Sequence, residues 1–263
     1  MILSRRVALD GVELDSLDSR ILVQGVEPAA GKDQVSAVSL WGGAGARVTN
    51  LHRDSLDIQV KFSINDDDPT ERLEILERVN RWAAAGGWMT VNYKPDRRIR
   101  VIAALFPAEG DLISFGTVFT ITFRAYGCPY WQQVNPSLIR VTGASGTRDF
   151  GVPGVFDNVM DFFFQNTSGS TVNALTVTCG GKSFVFTSLG LANGETLAID
   201  HLDTGRDFLL RIRIQATNGT YRSAMDKRGA LSANDLYVSP GTISVSWSAG
   251  GSGTATFSCS GRF

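Results

Sequence analysis

Leu56-Asp57-Ile58-Gln59-Val60-Lys61-Phe62-Ser63-Ile64, followed shortly by Asp68-Pro69-Thr70-Glu71, is the stretch that decides the class of fold. Strict alternation puts Leu56, Ile58, Val60, Phe62 and Ile64 on one face of a strand and their polar neighbours on the other, the pattern of a half-buried sheet. Asp68 then supplies a helix cap, Pro69 the first helical position and Glu71 the third, a combination that satisfies free N–H groups and suits the positive helix end. Leu73, Leu76, Val79 and Trp82, with Ile75 and Ala83 beside them, form an apolar stripe that Gly86-Gly87 brings to a stop. The spacing therefore predicts one helix lying on a sheet.

Working outward, Val35 to Trp41, Trp88 to Tyr93, Arg98 to Phe106 and Phe115 to Ala125 also read as strands. Lys94-Pro95-Asp96-Arg97 reads as the turn between the second and third of these, because proline presets φ. Strands, one helix and strands again make an α+β order and not βαβ winding. Cys128-Pro129-Tyr130-Trp131 closes this half, and the texture then changes. Residues 1–131 carry 32 formal charges and 14 Ser+Thr, whereas residues 132–263 carry 19 charges and 29 Ser+Thr.

The second half offers no comparable helix. Strands are predicted at Leu138 to Thr142, Val159 to Gln165, Leu175 to Cys179, Ser183 to Thr187, Thr196 to Asp200, Phe208 to Ile214, Thr242 to Trp247 and Thr254 to Cys259. Gly250-Gly251-Ser252-Gly253 reads as a flexible hairpin tip between the last two. The fold class is mainly β (α+β), with an N-terminal β-sandwich or split-barrel-like domain over residues 1–131 that carries the helix. A second β-sandwich is expected over residues 132–263.

Composition narrows the function. With 263 residues, 43% apolar and 19% charged, the chain can bury a core, and a net charge of −1 argues against binding nucleic acid through a general basic field. No apolar run approaches a membrane span, and Ser4-Arg5-Arg6 is followed by acids instead of an apolar signal core, so the chain reads as soluble and unexported. Cys128, Cys179 and Cys259 show no CxxC spacing, which suggests buried reduced thiols. His52 and His201 are too few for a metal cluster or a base-driven triad.

Local motifs give little chemistry. Gly180-Gly181-Lys182-Ser183 resembles the end of a phosphate loop, but Thr176 stands at the leading glycine and a strand follows, so a hairpin turn is favoured. Gly42-Gly43-Ala44-Gly45 lacks the third glycine of a dinucleotide fingerprint. Asp66-Asp67-Asp68 lacks the spaced ligands of a calcium loop, and capping already accounts for Asp68. Arg97-Arg98 and Arg100 form the main basic cluster, either guarding strand ends as solvated charges or meeting an acidic neighbour. No GxSxG elbow and no defined carboxylate pair appears. Trp131, Trp247, Tyr221 and Tyr237 either fill the core or stack on sugars. No catalytic residue, metal site or cofactor is assigned.

The first half resembles the N-terminal domain of phage distal tail proteins, the Dit family of long non-contractile tails. The resemblance is carried in order by Leu56 to Ile64, the Glu71-Arg72-Leu73 to Trp82 helix and Val91-Asn92-Tyr93-Lys94-Pro95-Asp96-Arg97-Arg98. Leu105, Phe119-Thr120-Ile121-Thr122-Phe123-Arg124-Ala125 and Cys128-Pro129-Tyr130-Trp131 complete it. The second half looks like the galectin-like C-terminal domain of that family, through Gly194 to Asp200, Leu236 to Val245 with its Pro240-Gly241, and Thr254 to Phe263. Galectin-like describes the fold alone, since the sugar-binding His/Asn/Arg and Trp constellation of a galectin is not evident.

The resemblance implies a structural hub of the virion tail tip, assembled in the host bacterial cytoplasm as a ring, commonly a hexamer. The N-terminal domains would close that ring, which joins the tail tube and tape measure proteins to the tip proteins that engage the host. No sequence-specific nucleic acid is implied. Self-association is expected through strand edges and the outer face of the helix, with Arg72, Arg78, Arg81, Arg97, Arg98 and Arg100 as candidate interface residues. Asp10, Glu13, Asp15, Asp18, Asp66 and Asp67 are candidate acids facing a lumen, where they would repel passing DNA. The competing reading is a carbohydrate-binding module that attaches to host glycans through exposed aromatics such as Trp247.

Overall fold

The computed structural model describes residues 6–28, 32–39, 46–107, 117–125, 129–203, 208–229 and 235–263; for residues 28, 32–39, 46–54, 203 and 208 it describes the backbone alone. Cys128 and the Gly42 to Gly45 motif lie outside the described residues. The chain divides into two compact units, Met1–Trp131 and Gln132–Phe263.

The first unit is one antiparallel sheet wrapped around a core. Its strands are β1 (Val7–Leu9), β2 (Val12–Glu13), β3 (Ile21–Pro28), β4 (Lys32–Ser39), β5 (Ala46–Ile64), β6 (Gly87–Val91), β7 (Lys94–Leu105) and β8 (Val118–Ala125), with α1 (Pro69–Ala85) between β5 and β6. The order across the sheet is β2-β1-β6-β7-β8-β5-β3, and β4 pairs with β5 outside that path. Alternation in β5 and β8 is matched by register: Ile58 faces Phe123, Val60 faces Ile121 and Phe62 faces Phe119. All six are buried, and the Phe62 and Phe119 rings stack with centroids 5.5 Å apart. Helix α1 closes this face with Ile75, Leu76, Val79, Trp82 and Ala83 buried. Trp82 meets Phe123 edge-on at 5.9 Å and donates from its Nε1 to the carbonyl of Val12 at 3.0 Å, which ties the helix to β8 inside the sheet and to β2 at one end of it. The Asp68 carboxylate accepts from the Thr70 N–H at 2.8 Å, the capping bond that the sequence demands.

One local expectation is corrected. The turn between β6 and β7 is Asn92-Tyr93, because Val91 pairs with Lys94. Lys94 to Arg97 belong to β7, where a register shift opposite Thr90 and Val91 absorbs Pro95 without a ladder hydrogen bond. The N-terminal segment holds a hairpin that the hydrophobic pattern alone did not single out. Leu9 pairs with Val12 around Asp10-Gly11, both at positive φ, the geometry of a two-residue primed turn.

The second unit is a β-sandwich made by folding one long sheet over on itself. Its strands are β9 (Gln132–Gln133), β10 (Ser137–Val152), β11 (Asn158–Asn166), β12 (Leu175–Cys179), β13 (Lys182–Phe186), β14 (Thr196–Asp203), β15 (Phe208–Gln215), β16 (Tyr221–Ser223), β17 (Tyr237–Val238) and β18 (Gly241–Cys259). The main order is β13-β12-β18-β11-β14-β15-β16, with β10 running alongside β18. Gly250 to Gly253 is therefore no hairpin tip: it lies inside the 19-residue strand β18. Ten residues of straight strand would separate Trp247 from Phe257 by about 33 Å at ~3.3 Å per residue. Their rings lie 6.2 Å apart, so β18 turns a corner and serves both layers. Its partner β10 turns with it, through a register shift between Gly143 and Ser145. A Cβ at Gly253 would sit 2.3 Å from the Phe164 ring, so the corner requires glycine there. Phe162, Phe164, Phe184, Phe186, Trp247 and Phe257, drawn from both layers, share one buried core.

Candidate assembly surfaces

Among the described residues no group of three His, Cys, Asp or Glu side chains comes together in a way that could hold a metal. Cys179 and Cys259 are buried reduced thiols, and burial pushes each up to about 12, so neither is a thiolate at neutral pH. The His201 ring is buried, with Nδ1 2.9 Å from the Asp161 carboxylate. Gly180-Gly181 forms the two-residue turn between Cys179 and Lys182, both glycines at positive φ, and no helix follows to receive a phosphate.

The aromatic residues weighed for sugar stacking divide. Trp131 and Trp247 are buried, at 4% and 3% exposure, so neither offers a ring face to solvent. Tyr237 is half-buried, with Lys182 and Arg262 about its ring at 6.0 and 5.9 Å. Tyr221 is exposed, but the Arg213 guanidinium lies over it at 4.2 Å. Arg211 and Arg213 both donate to the Asp200 carboxylate, which fastens this outer face of β14 to β15.

The lumen-acid candidates are largely occupied with partners inside the first unit. Arg20 is the centre of an ion cluster: it grips Asp18 in bidentate fashion at 2.9 Å, reaches Asp66 at 2.5 Å and touches Glu71 at 3.3 Å. Arg78 reaches Asp18 from the helix at 2.9 Å. Hydrogen bonds from Arg20 hold the Asp18 carboxyl far below the usual carboxylate range, and the Asp68 N–H together with Arg20 lowers that of Asp66. Asp10 caps the Trp88 N–H at 2.9 Å, and Glu13 pairs with Arg6 at 3.5 Å. Asp15 is half-buried, with one carboxylate oxygen lacking a hydrogen-bond partner, and Asp67 is exposed.

The basic candidates lie in three places. Arg72 is buried, its Nη1 donating to the Asp66 carbonyl at 3.1 Å, so it presents almost nothing to the surface of the unit. Arg78 and Arg81 stand on the exposed side of α1. Arg97 reaches Asp96 at 3.7 Å, Arg98 lays its guanidinium over the Trp88 ring at 4.2 Å, and Arg100 is exposed one step further along β7.

Among the described residues β4 and the first part of β5 form a two-stranded ribbon. Among the described residues β4 pairs only with the stretch of β5 from Ala46 to Ser55, whereas β3 and β8 hold β5 from Leu56 to Ile64. Among the described residues nothing else pairs with this two-stranded extension. Such a ribbon is at best marginally stable in water and keeps two rows of open donors and acceptors. The other sheet edges are guarded: β2 has two residues, and β3 carries a register shift at Val23 and Gly25.

No family model matches the chain, and no curated protein sequence matches it. Solved structures do. Superposition on the crystal structure of the Dit protein of phage SPP1 gives a TM-score of 0.71 at 13% identity and covers 98% of this chain and 99% of that one. The chain has the fold of SPP1 Dit. That protein is described as a paradigm of the hub adsorption apparatus of phages infecting Gram-positive bacteria. A chain of the phage P2 baseplate in its activated conformation with calcium matches with a TM-score of 0.52 at 10% identity, over 99% of both chains. The corresponding baseplate with strontium gives 0.51 at 10% identity, over 97% of both. The correspondence with SPP1 Dit runs through both units, so the pairing of a one-helix β-domain with a β-sandwich is shared and not just one module of it.

Proposed function

We propose that this chain is a structural hub of a phage tail tip, a distal tail protein whose copies form a ring, commonly of six, at the end of the tail tube. The observation that carries the reading is the end-to-end likeness to SPP1 Dit, 98% of this chain on 99% of that one. The ribbon of β4 and β5, which no other described strand pairs with, supports it physically. An open edge of this length is a hazard in a monomer and an adhesive strip in an assembly, where a sister copy completes its ladder. The ring would join the tube and tape measure proteins to the tip proteins, in a virion built in the host cytoplasm. No catalytic group and no cofactor is needed for that role; the work is done by backbone edges and surface charge.

The test is genetic and visual. A phage carrying an amber codon early in this gene, grown on a non-suppressing host, should yield heads and tubes without finished tips, and complementation with the intact chain should restore plaques. Complete, infectious tails made without the polypeptide would overturn the proposal.

A further inference from the structure

Two faces of the first unit carry opposite charge and point away from each other. Ala103 of β7 pairs with Phe123, and Ile99, Val101 and Ala103 therefore share the core face against which Trp82 of α1 packs. By alternation Arg98, Arg100 and Ile102 stand on the opposite side of the sheet from the helix. There Trp88 pairs with Arg100 and supports the Arg98 guanidinium, while Ile102 is 52% exposed. Among the described residues no carboxylate forms an ion pair with Arg98 or Arg100, and the Arg98 Nε is buried without a hydrogen-bond partner. On the far side, Glu74 and Glu77 are exposed on α1, and neither forms an ion pair with any described residue. Arg78, which stands one turn from Glu74, gives its charge to Asp18 instead, and Arg81 stands exposed one turn beyond Glu77.

We propose that copies of this chain associate head to tail, the Trp88–Arg98–Arg100 stripe of one docking on the Glu74–Glu77 face of α1 in the next. This deepens the hub reading, on which it rests only for closure of the ring. Charge decides the polarity: a two-fold contact centred on either face would set like charges together, whereas a head-to-tail contact pairs opposite ones. Trp, Arg and an exposed aliphatic side chain are also the residues enriched where binding energy concentrates. Stacking on Trp88 restricts the Arg98 side chain before the partner arrives, which lowers the entropy cost of docking.

Sedimentation velocity of the full chain tests this with Arg98→Glu/Arg100→Glu and Glu74→Arg/Glu77→Arg, each first checked for an unchanged circular dichroism spectrum. Either double variant alone should associate at least about tenfold more weakly than wild type, since each reversal replaces an attraction with a repulsion. An equimolar mixture should recover association, because one variant is acidic on both faces and the other basic on both. Recovery in the mixture supports the inference. Association of either variant at the wild-type concentration overturns it, as does a folded mixture that fails to recover or a wild type that stays monomeric at every concentration. Duplex DNA binding that Arg98→Glu/Arg100→Glu abolishes while association is unchanged also overturns it, and assigns the stripe to nucleic acid. None of these failures touches the amber-phage test, so hub and polarity are judged separately.

Discussion

Gly146→Ala probes the corner of the second unit. A Cβ at residue 146 would lie 2.4 Å from Cη2 of Trp247 and 2.9 Å from two further ring atoms. Carbon atoms pack at about 3.5–4.0 Å, so the ring must withdraw by about 1 Å or more. Trp247 has little room to do so: it is 3% exposed and its Nε1 is already stretched to 3.4 Å from the Gly143 carbonyl. Overpacking of this kind costs roughly 1–3 kcal/mol. Trp247→Leu leaves a cavity and costs about 2–5 kcal/mol by itself, but it removes the ring that the new methyl meets. In that background Gly146→Ala should be nearly neutral, so the two sites should couple by roughly 1–3 kcal/mol. Amide exchange of the full chain, followed on peptides from β10 and β18, reads the stability of this unit apart from the other. A single-variant cost below about 0.5 kcal/mol, or an equal cost in both backgrounds, would refute the packing argument.

Other expectations follow from single contacts. Asp68→Ala removes the helix cap and should cost the first unit about 1 kcal/mol, read by the same exchange measurement on α1. Asp18 and Asp66 have lowered folded-state values, so their contribution is present above the unfolded carboxyl value of about 3.9 and is lost as pH falls below it toward the folded values. The first unit should therefore weaken on acidification from pH 5 downward, and Arg20→Met should flatten that slope; an unchanged acid limb would contradict the cluster. Arg222 lowers Glu195 in the second unit by the same means, and Arg222→Met should flatten its acid limb without moving that of the first. Replacing residues 31–54 with a short Gly/Ser linker should leave the Leu56 to Ile64 ladder intact, as exchange would show, while abolishing ring formation.

Much of the fold could be read directly, because local rules and tertiary context agree there. The nine-residue alternation from Leu56 to Ile64, the Asp68-Pro69 start and the Gly86 stop each specify their element without help from distant residues. Where tertiary context decides, the local reading fails for definable reasons. Gly250-Gly251-Ser252-Gly253 has the composition of a loop, yet the chain stays in the ladder because these glycines let β18 bend between layers while Phe164 crowds the space a side chain would need. Lys94-Pro95 has the composition of a turn, yet Asn92-Tyr93 turns first and a register shift absorbs the proline.

The surfaces were less legible still. Charge counting marks Arg72 as a surface cation, but its side chain folds under the Asp66 carbonyl, and the acids expected to face a lumen include two that Arg20 neutralises. Sequence shows which residues are charged; only the partners that folding brings from 46 and 60 positions away show which charges remain to be used. The Asp10-Gly11 turn was within reach, since Asp-Gly between Leu9 and Val12 is a strong short-range hairpin signal.

Electron cryomicroscopy of intact tails carrying a tagged copy tests the proposed hub role most directly. The account predicts a closed ring of tagged subunits at the distal end of the tube, with the β4–β5 ribbon of each laid along its neighbour. Tails in which the tag is missing, or in which the chain occurs as isolated monomers away from the tube axis, would contradict it.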